Sequence, residues 1–571
     1  MKKDFRKTAL VAAMIIAAGV AGCGGKSQNT QDVPQYTGPL VITATPTPKP
    51  TATSKPTSTP RPTYTPTPKP GENIPKTILT EEPKNMSTTD FEALFRNIKL
   101  SKIIKPLINS NPLMVQRFGA DPYAMVYDGR VYIYMTGDNP MYDSQGKIKE
   151  NNYSNIYTIN VISSADLVNW TDHGTVYAAS AKGQAKWGIN SWAPAATWKN
   201  IDGKDKFFLY FANGGNGIAV LTGDTPYGPF TDPLGRALIS RSTPTCGEVT
   251  WLFDPAVLMD DNGQAYIYFG GGIPTGKEAN PGTARVAKLA DNMISLDGDP
   301  IRIENVPYLF EDSGINKING TYYYSYCSNF SMSQEGKREY GFDQGQIIVM
   351  KSDNPMGPFE LCGPVLKNPG NHFGRGGNNH HCMFEFKGEW YITYHARLLE
   401  EALGLDGMYR STNIDVLKLS ADGTPVMSTG TRNGVQAVDT LDPYKETEAV
   451  TLANASGIET VQYGEEAVKY GSGQMILTGI HDGSFTGVFN VDFGEGSAKE
   501  IVMKVKGSGK GVVKAVLDAP GNDAIAYVPV SAPGEDFTEV SATLLNVPSG
   551  IHKLFFVYAG EDFDVLSWQF K

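Results

Sequence analysis

The sequence has few charged residues and no excess of positive charge. Charged residues make up 19% of the 571 residues, and the formal net charge is -10 at pH 7. A chain with this balance cannot supply the cationic surface that neutralises nucleic acid phosphates or holds a protein on an anionic membrane. We therefore expect no nucleic acid partner.

Cysteine is also scarce. The 5 cysteines are too few and too scattered for a disulfide framework or a zinc site. We interpret Cys246, Cys327, Cys362 and Cys382 as small core residues and leave their pairing open. The sequence shows no metal-site spacing, and we expect that no cofactor is required.

The N-terminus has no apolar run long enough to span a bilayer. A short apolar stretch, residues 8–20, follows a basic segment, which is typical of a secretory signal. It ends in "VAGC" (20–23), which resembles a bacterial lipobox. We predict that residues 1–23 are a lipoprotein signal peptide and that lipidation of Cys23 anchors the protein to the extracellular face of the bacterial cytoplasmic membrane. An ordinary signal peptide with an unmodified Cys23 is the alternative.

Residues 24–76 cannot bury a core. Residues 41–75 are Thr-Pro repeats with interspersed Lys and Arg, which predict a disordered but extended, semi-rigid spacer. A short helix is predicted around Thr88 to Ile98. A lipid anchor followed by such a spacer would hold the folded part away from the cell surface.

Aromatic residues and glycine are abundant, at 11% and 61 residues. This suits an all-β protein with many turns. Five units share a polar entrance, an apolar strand, a turn and an aromatic strand: "ADPYAMVYDGRVYIYMTGD" (120–138), "WAPAATWKNIDGKDKFFLYFANG" (192–214), "FDPAVLMDDNGQAYIYFGGG" (253–272), "FEDSGINKINGTYYYSYCS" (310–328) and "HHCMFEFKGEWYITYHA" (380–396). This repetition predicts a five-bladed β-propeller of four-stranded blades over residues 105–443. An array of β-sandwiches would not explain the repeated polar or aromatic entrance.

Three carboxylic acids occupy what we interpret as matching entrance positions in three blades: Asp121, Asp254 and Glu311. The innermost strands of a propeller meet at one mouth, so these acids should converge. Convergent carboxylates fit either cation binding or glycoside hydrolysis. An inverting glycosidase uses one carboxylate as base and one carboxylic acid, about 6.5–9.5 Å away, as proton donor. Burial and a neighbouring carboxylate raise the pKa of the donor.

The units resemble glycoside hydrolase family 43, and within it the arabinoxylan arabinofuranohydrolases. The motifs that carry the resemblance run from about residue 109 to 443 and include "NSNPL" (109–113), "GADP" (119–122), "VISSADLVNWTDHG" (161–174), "SWAP" (191–194), "WLFDPAVL" (251–258), "LFEDSG" (309–314) and "GGNNHH" (376–381). The resemblance implies that Asp121 is the general base, Asp254 the pKa modulator and Glu311 the proton donor. Asp312 is then a supporting residue.

The resemblance also implies contacts with the substrate. Asn378 and Arg410 match positions that contact the arabinosyl unit, and Trp192 and Trp251 match aromatics of the pocket or of the xylan groove. Phe330 is a further candidate aromatic platform. His381 matches a propeller-axis histidine, with a satisfied core histidine as the equally weighted alternative.

Residues 444–571 alternate apolar and polar residues between turn signals, which predicts a β-sandwich of jelly-roll type. The segment resembles carbohydrate-binding module family 6. Two carboxylates of that family's calcium site are replaced by Val450 and Leu566, and Phe537 is the only aromatic in the loop that usually carries a Trp. Calcium and sugar binding by this domain are therefore left open.

Three functions remain open from the sequence. The first is a secreted, lipid-anchored and monomeric hydrolase that releases α-L-arabinofuranosyl side chains from arabinoxylan or arabinoxylo-oligosaccharides. The second is a β-xylosidase or a dual xylosidase/arabinofuranosidase. The third is a non-catalytic surface glycan-binding lipoprotein, against which the set of Asp121, Asp254 and Glu311 argues.

Overall fold

The computed structural model describes residues 79, 81–464 and 473–571. The predicted signal peptide, Cys23 and the spacer of residues 24–76 lie outside the described residues. Within the described part of the chain, no helix has both the length and the apolar character needed to cross a membrane. Residues 110–426 and 447–570 hold all of the strands in the described part of the chain.

The first set of strands forms five sheets arranged as blades. The blades consist of β1 (Ala120–Tyr127), β2 (Arg130–Thr136), β3 (Thr158–Ser164) and β4 (Trp170–Tyr177); β5 (Trp192–Ile201), β6 (Lys204–Ala212), β7 (Gly217–Gly223), β8 (Phe230–Thr231) and β9 (Ile239–Ser240); β10 (Ala256–Met259), β11 (Ala265–Phe269), β12 (Arg285–Leu289) and β13 (Ile301–Arg302); β14 (Leu309–Ile318), β15 (Thr321–Ser328), β16 (Ile347–Ser352) and β17 (Glu360–Leu366); and β18 (His381–Phe386), β19 (Glu389–Ala396) and β20 (Ser411–Val416). A small ribbon, β21 (Lys418–Leu419) and β22 (Pro425–Val426), follows.

The innermost strands close into a ring. Strands β1, β5, β10, β14 and β18 each contact the next, and β18 contacts β1. This confirms the predicted five-bladed β-propeller. The last blade has three strands rather than the predicted four.

Tight turns explain why the first two strands of a blade pair so regularly. In four blades a two-residue turn joins them, and both turn residues have positive φ, as the type I′ hairpin turn requires. These turns are Asp128-Gly129, Asp202-Gly203, Asn319-Gly320 and Lys387-Gly388. The sequence therefore sets the register that returns each second strand to the mouth of the propeller.

The segment before the first blade supplies the missing edge of the last blade. The Leu113 backbone N–H donates to the Thr412 carbonyl at 2.9 Å. The Asn111 side chain donates to the Ile414 carbonyl at 3.0 Å and accepts from the Ile414 N–H at 2.9 Å. The start and the end of the propeller are thereby joined.

The second domain is a β-sandwich, as predicted. One sheet contains β26 (Glu459–Tyr463), β27 (Gln474–Thr478), β34 (Phe563–Phe570), β29 (Glu500–Gly507) and β32 (Gly534–Thr543), with β23 (Thr447–Glu448) beside β34. The other contains β25 (Asn454–Ser456), β28 (Phe485–Asp492), β33 (Ile551–Gly560), β30 (Lys510–Leu517) and β31 (Ala524–Ser531). Strand β24 (Thr451–Leu452) instead pairs with β4 and becomes a fifth strand of the first blade. A shared sheet thus connects the two domains.

An N-terminal segment lies along the sandwich. After a 3-10 helix (Pro83–Asn85), α1 (Thr88–Asn97) begins with a capping box between Ser87 and Asp90, which confirms the predicted short helix. Phe91 and Phe95 of α1 pack against Tyr527 with tilted rings, at centroid distances of 5.3 and 5.7 Å. This segment, which precedes the propeller in the chain, is therefore packed as part of the sandwich.

Three further helices interrupt the blades: α2 (Gln334–Tyr340), α3 (Pro369–Phe373) and α4 (Leu398–Leu403). The last two lie in the connections that flank the final blade's first hairpin. They carry the chain to and from the mouth of the propeller.

Candidate active site

An unusual backbone conformation marks the mouth ends of four innermost strands. Asp121, Ala193, Asp254 and Asp312 have φ values of 47°, 40°, 50° and 70°. Left-handed conformations are rare for such residues and cluster at functional sites. The repetition shows that Asp312, rather than Glu311, is the backbone equivalent of Asp121 and Asp254. This corrects the predicted matching of the three acids, because Glu311 comes one residue earlier in its strand.

The predicted acids are buried together at this end of the propeller. Asp121, Asp254 and Glu311 are 5%, 4% and 3% exposed, and Asp312 is fully buried. They interact electrostatically with one another and with His380. The structure therefore brings together three acids that lie 190 residues apart in the chain, from Asp121 to Glu311.

Asp121 is held by two groups of the last blade. Arg410 Nη1 donates to Asp121 Oδ1 at 2.8 Å, and the Asp121 backbone N–H donates to His395 Nδ1 at 3.1 Å. Burial opposes ionisation, but Arg410 outweighs it and holds the pKa of Asp121 well below its usual range. Asp121 is therefore a carboxylate across the whole range in which an enzyme works, as a base must be.

His395 is fixed as a neutral acceptor. Its Nε2 lies 3.0 Å from the Asn378 carbonyl, which can only accept, so the proton is on Nε2 and Nδ1 receives the Asp121 N–H. Burial lowers the pKa of His395, which keeps the ring neutral. The histidine thus orients the Asp121 backbone without neutralising the Asp121 charge.

Arg410 is oriented by a second acid. Its Nε and Nη2 donate to Asp138 at 2.9 and 2.8 Å, which forms a bidentate pair. The remaining nitrogen is left for Asp121. Sequence reasoning did not single out Asp138, although the second strand of the first hairpin returns to the mouth at this residue, and that logic could have found it.

Glu311 and Asp254 have carboxyl groups that resist ionisation. Burial raises the pKa of Asp254 to about 7. Burial and then the Asp254 charge raise the pKa of Glu311 well above its usual range. The only protein hydrogen bond to the Glu311 carboxyl in the described part of the chain is a long one, from the Asn379 N–H at 3.4 Å. Glu311 is thus the acid that retains a proton at neutral pH.

His380 provides the counter-charge at the centre of the ring. Its Nε2 lies 3.0 Å from Asp312 Oδ1, and its Nδ1 lies 3.6 Å from Asp121 Oδ1 and 4.0 Å from Asp254 Oδ2. Burial alone would lower the pKa of His380, but Asp312 and the other two carboxylates raise it to about 10. The cationic imidazole of His380 therefore offsets part of the negative charge of three carboxylates that come from three different blades.

The neighbouring His381 fits the second of its two sequence interpretations, a core histidine whose ring nitrogens both have protein partners. Its side chain is fully buried, its Nδ1 contacts Asp312 Oδ2, and its Nε2 lies 2.9 Å from Ser325 Oγ. Both ring nitrogens are occupied by protein, so His381 does not reach the pocket. His381 therefore supports Asp312 as a core histidine and leaves no ring nitrogen for the alternative, a substrate contact. His380 is the histidine that faces Asp121, Asp254 and Asp312.

A pocket opens beside Asp121. Its walls come from the loops around the last blade and from one residue of the first: Tyr153, Pro369, Arg375, Gly376, Gly377, Asn378, His395, Ala396, Arg397, Met408 and Arg410. Asn378 and Arg410, two of the predicted substrate contacts, are therefore in the pocket wall. Tyr153 was not predicted, and nothing in its local sequence separates it from the other tyrosines.

Aromatic residues form a cluster in which Phe253 and Phe310 directly precede Asp254 and Glu311 in the chain. Trp251 is nearly buried and packs edge-on against Phe253 and Phe310, at 5.3 and 5.1 Å. Phe330 packs edge-on against Phe310 at 5.3 Å and is half-buried. Trp192 is half-buried and donates from Nε1 to the Tyr153 carbonyl at 3.0 Å. Trp192 and Phe330 keep surface that a ligand can touch, whereas Trp251 serves mainly as their support.

The described residues contain no group of three or more His, Cys, Asp or Glu side chains arranged to hold a metal ion. In the sandwich, the Val450 side chain is fully buried in the hydrophobic core and has no oxygen atom that could bind a cation. The described cysteines Cys246, Cys327, Cys362 and Cys382 are all free thiols.

Comparison with known proteins agrees with this geometry. Residues 110–425, more than half of the chain, match the model of glycosyl hydrolases family 43. The chain belongs to this family. Residues 448–571 match carbohydrate binding module family 6.

Two curated relatives of this family 43 chain cover most of its length. An arabinoxylan arabinofuranohydrolase of Paenibacillus polymyxa is 46% identical over 482 residues, which is 81% of this chain and 74% of the relative. One of Bacillus subtilis (strain 168) is 44% identical over 489 residues, covering 82% and 93%. The chain is therefore an inverting glycoside hydrolase, as family 43 enzymes are.

A solved structure supports the fold of this family 43 enzyme along both domains. The structure of a family 43 arabinoxylan arabinofuranohydrolase from Bacillus subtilis in complex with cellotetraose has a TM-score of 0.78 and 42% sequence identity. The match covers 83% of this chain and 99% of that chain. Propeller and sandwich therefore follow a two-domain arrangement already seen in a solved relative.

Proposed function

We propose that this enzyme releases α-L-arabinofuranosyl side chains from arabinoxylan or arabinoxylo-oligosaccharides with inversion at the anomeric carbon. The observation that carries the proposal is that two buried acids, Asp121 and Glu311, differ in protonation state. Arg410 keeps Asp121 ionised, whereas burial and Asp254 keep Glu311 protonated. Two curated relatives that match 81% and 82% of this chain bear the name of this activity.

In this mechanism each acid has one task. Asp121 removes a proton from the water that attacks the anomeric carbon, and Glu311 donates its proton to the departing xylosyl oxygen. Asp254 holds Glu311 protonated by charge repulsion. After one turnover Asp121 has gained a proton and Glu311 has lost one, and exchange with water restores both.

The pocket wall supports recognition of one terminal sugar. Asn378 and Arg410 supply polar groups in the pocket wall. Trp192, Trp251 and Phe330 belong to an aromatic cluster that meets this wall where Trp192 donates to the Tyr153 carbonyl. A closed pocket around one unit, next to an open surface for a backbone, is what a debranching enzyme requires. The reaction so proposed needs no cofactor, and dialysis against EDTA followed by an activity assay tests whether calcium contributes.

The decisive experiment uses residues 76–571 and wheat arabinoxylan, with products followed by proton NMR and Glu311→Gln as the matched variant. Free β-arabinofuranose appearing first, with loss of side-chain anomeric signals and a silent variant, is the expected result. The signals that disappear would also give the regiochemistry. Release of xylose would favour the β-xylosidase, and no release from arabinoxylan, xylo-oligosaccharides or arabinan would favour the glycan-binding lipoprotein.

We also propose that the enzyme acts as a monomer held by a lipid on Cys23 at the extracellular face of the bacterial cytoplasmic membrane. The basic segment, the short apolar stretch and "VAGC" support this location. Mass spectrometry of the mature N-terminus in a membrane fraction tests the anchor. Light scattering of the spacer-free protein tests the monomer.

A further inference from the structure

Tyr153 is held in the pocket wall by its backbone. It lies in the connection between β2 and β3 and has a φ of 61°, a strained conformation for a tyrosine. Its N–H donates to Asn151 Oδ1 at 3.1 Å, and its carbonyl accepts from Trp192 Nε1 at 3.0 Å. The surrounding structure therefore fixes a conformation that an isolated loop would avoid.

The ring of Tyr153 is positioned against the charged centre. It lies over the Arg410 guanidinium, with 4.9 Å from the Arg410 Cζ to the ring centroid, at cation–π distance. Arg410 itself is fixed by Asp138 and Asp121. A rigid base thus orients the tyrosine, which is 8% exposed and lines the same pocket as Asn378 and His395.

The Tyr153 hydroxyl has no hydrogen-bond partner among the described residues, a state it shares with Tyr324 but not with Tyr326 or Tyr394. Tyr326 donates to the Pro307 carbonyl at 2.6 Å, and Tyr394 donates to Asp415 at 2.7 Å. A buried tyrosine hydroxyl usually finds a partner. Burial raises the pKa of Tyr153 to about 12, so the hydroxyl keeps its proton and can donate.

We infer that the Tyr153 hydroxyl hydrogen bonds with a hydroxyl group of the terminal pentofuranosyl unit bound between Asp121 and Glu311. The inference rests on the proposed function, because it assigns a contact within the same site. An unpartnered phenol at the wall of a pocket fits a sugar hydroxyl, which can both donate and accept. An apolar ligand would leave the phenol unsatisfied.

The test is Tyr153→Phe in the full chain, assayed on 4-nitrophenyl α-L-arabinofuranoside and on arabinoxylan. The variant retains the ring over Arg410 and removes only the hydroxyl. We expect kcat/KM to fall roughly tenfold on both substrates, the size of one neutral hydrogen bond, since both present the same terminal sugar. The matched control is Tyr127→Phe, which removes a hydroxyl that donates to Asp205 at 2.9 Å and lies at the far end of β1.

Deoxy sugars identify the bond itself. For one of the 2-, 3- and 5-deoxy arabinofuranosides, the wild type should lose the same factor that Tyr153→Phe loses on the intact sugar. The variant should lose nothing further on that deoxy substrate. If the loss of kcat/KM from Tyr153→Phe and the loss from the deoxy sugar multiplied fully at all three positions, the assignment would be overturned.

Two further readouts separate contact from support. If Tyr153 acted only by holding Arg410 through its ring, Tyr153→Phe would leave both kcat/KM and the pH profile unchanged, because the ring is retained. With a sugar contact, kcat/KM falls while the pH profile keeps its shape. Unchanged kcat/KM, or a loss confined to the polymer, would contradict the inference. If the wild type hydrolysed no arabinofuranoside, the proposed function would be wrong. The Tyr153 contact would then be tested with deoxy analogues of whichever sugar the enzyme releases.

Discussion

The Asp312 backbone N–H donates to Asp254 Oδ2 at 2.8 Å. The strand that carries Glu311 is therefore bonded to the neighbouring blade through the residue next to Glu311. Because Asp254 accepts this bond with one oxygen, its carboxyl group has a fixed orientation beside Glu311. The hydrogen bond from the Asp312 backbone N–H therefore fixes the distance between the Asp254 and Glu311 carboxyl groups.

Asp254→Asn should shift the alkaline limb of the pH–activity profile to lower pH. Burial and the Asp254 charge both raise the pKa of Glu311, and the substitution removes the second of these while an amide oxygen can still accept the Asp312 N–H. Glu311 then loses its proton at lower pH. The profile of kcat/KM measures this, with exposed Asp261→Asn as control; an unshifted limb would remove Asp254 from the tuning role.

His380→Gln should lower stability most between about pH 4 and 6.5. The pKa of His380 is raised from 6.5 to about 10, so its stabilisation is complete below 6.5 and lost as the pH rises through about 10. Burial opposes the charged form of Asp312, but His380 and His381 lower its pKa from 3.8 to about 2, so its stabilisation is complete above 3.8 and lost as the pH falls through about 2.

Between about pH 4 and 6.5, His380→Gln should lower the free energy of unfolding by about 3 kcal/mol, as for a broken buried ion pair. Urea unfolding of the wild type and the variant from pH 3 to pH 9 measures it. His552→Gln is the control, because His552 pairs with Asp518 at the surface. A difference that grew steadily towards high pH would show that His380 is neutral in the folded protein.

Glu400→Gln should reduce activity although Glu400 touches no predicted catalytic group. Glu400 is fully buried, and its Oε1 accepts from the Gly407 and Tyr409 backbone N–H groups, directly before Arg410. Its Oε2 pairs with Arg397. The amide oxygen of the substituted side chain can still accept the two backbone N–H groups, but the amide N–H groups would face the Arg397 guanidinium, which is also a donor. The loop that carries Arg410 should therefore lose its fixed position.

We expect kcat/KM to fall roughly tenfold and the unfolding free energy to fall by about 3 kcal/mol. Glu401→Gln is a matched control one residue away, since Glu401 pairs with Arg432 at the surface and should change stability by about 0.5 kcal/mol or less. Equal effects of the two substitutions would argue against a role for Glu400 in placing Arg410.

Phe91→Ala should destabilise the sandwich domain. Phe91 is 7% exposed and packs against the Tyr527 ring, so truncation leaves a cavity that costs about 3 kcal/mol. Calorimetry should show a lower Tm, and exposed Glu92→Ala should leave it unchanged. An unaltered Tm in Phe91→Ala would mean that α1 is not an integral part of the fold.

The sequence by itself determined the strands, the five repeats and the hairpin turns, because alternation and turn residues such as Asn319-Gly320 are local signals. It also placed Asp121, Asp254 and Glu311 at one mouth, since the repeat converts sequence position into spatial position. It could not separate Glu311 from Asp312 by backbone equivalence, because the pairing register of their strand shifts at Glu311 and alternation no longer assigns the two side chains. It could not separate His380 from His381 either, because both contact Asp312 and only the other contacts of each ring distinguish them.

Tertiary structure alone decided the contacts that cross blades and domains. Arg410 reaches Asp121 across the closure of the ring, Tyr153 enters the pocket from a loop with no motif, and the segment around Phe91 joins a domain that begins more than 350 residues later. These contacts depend on how the ring closes and how the sandwich packs against it, and no local pattern encodes that geometry.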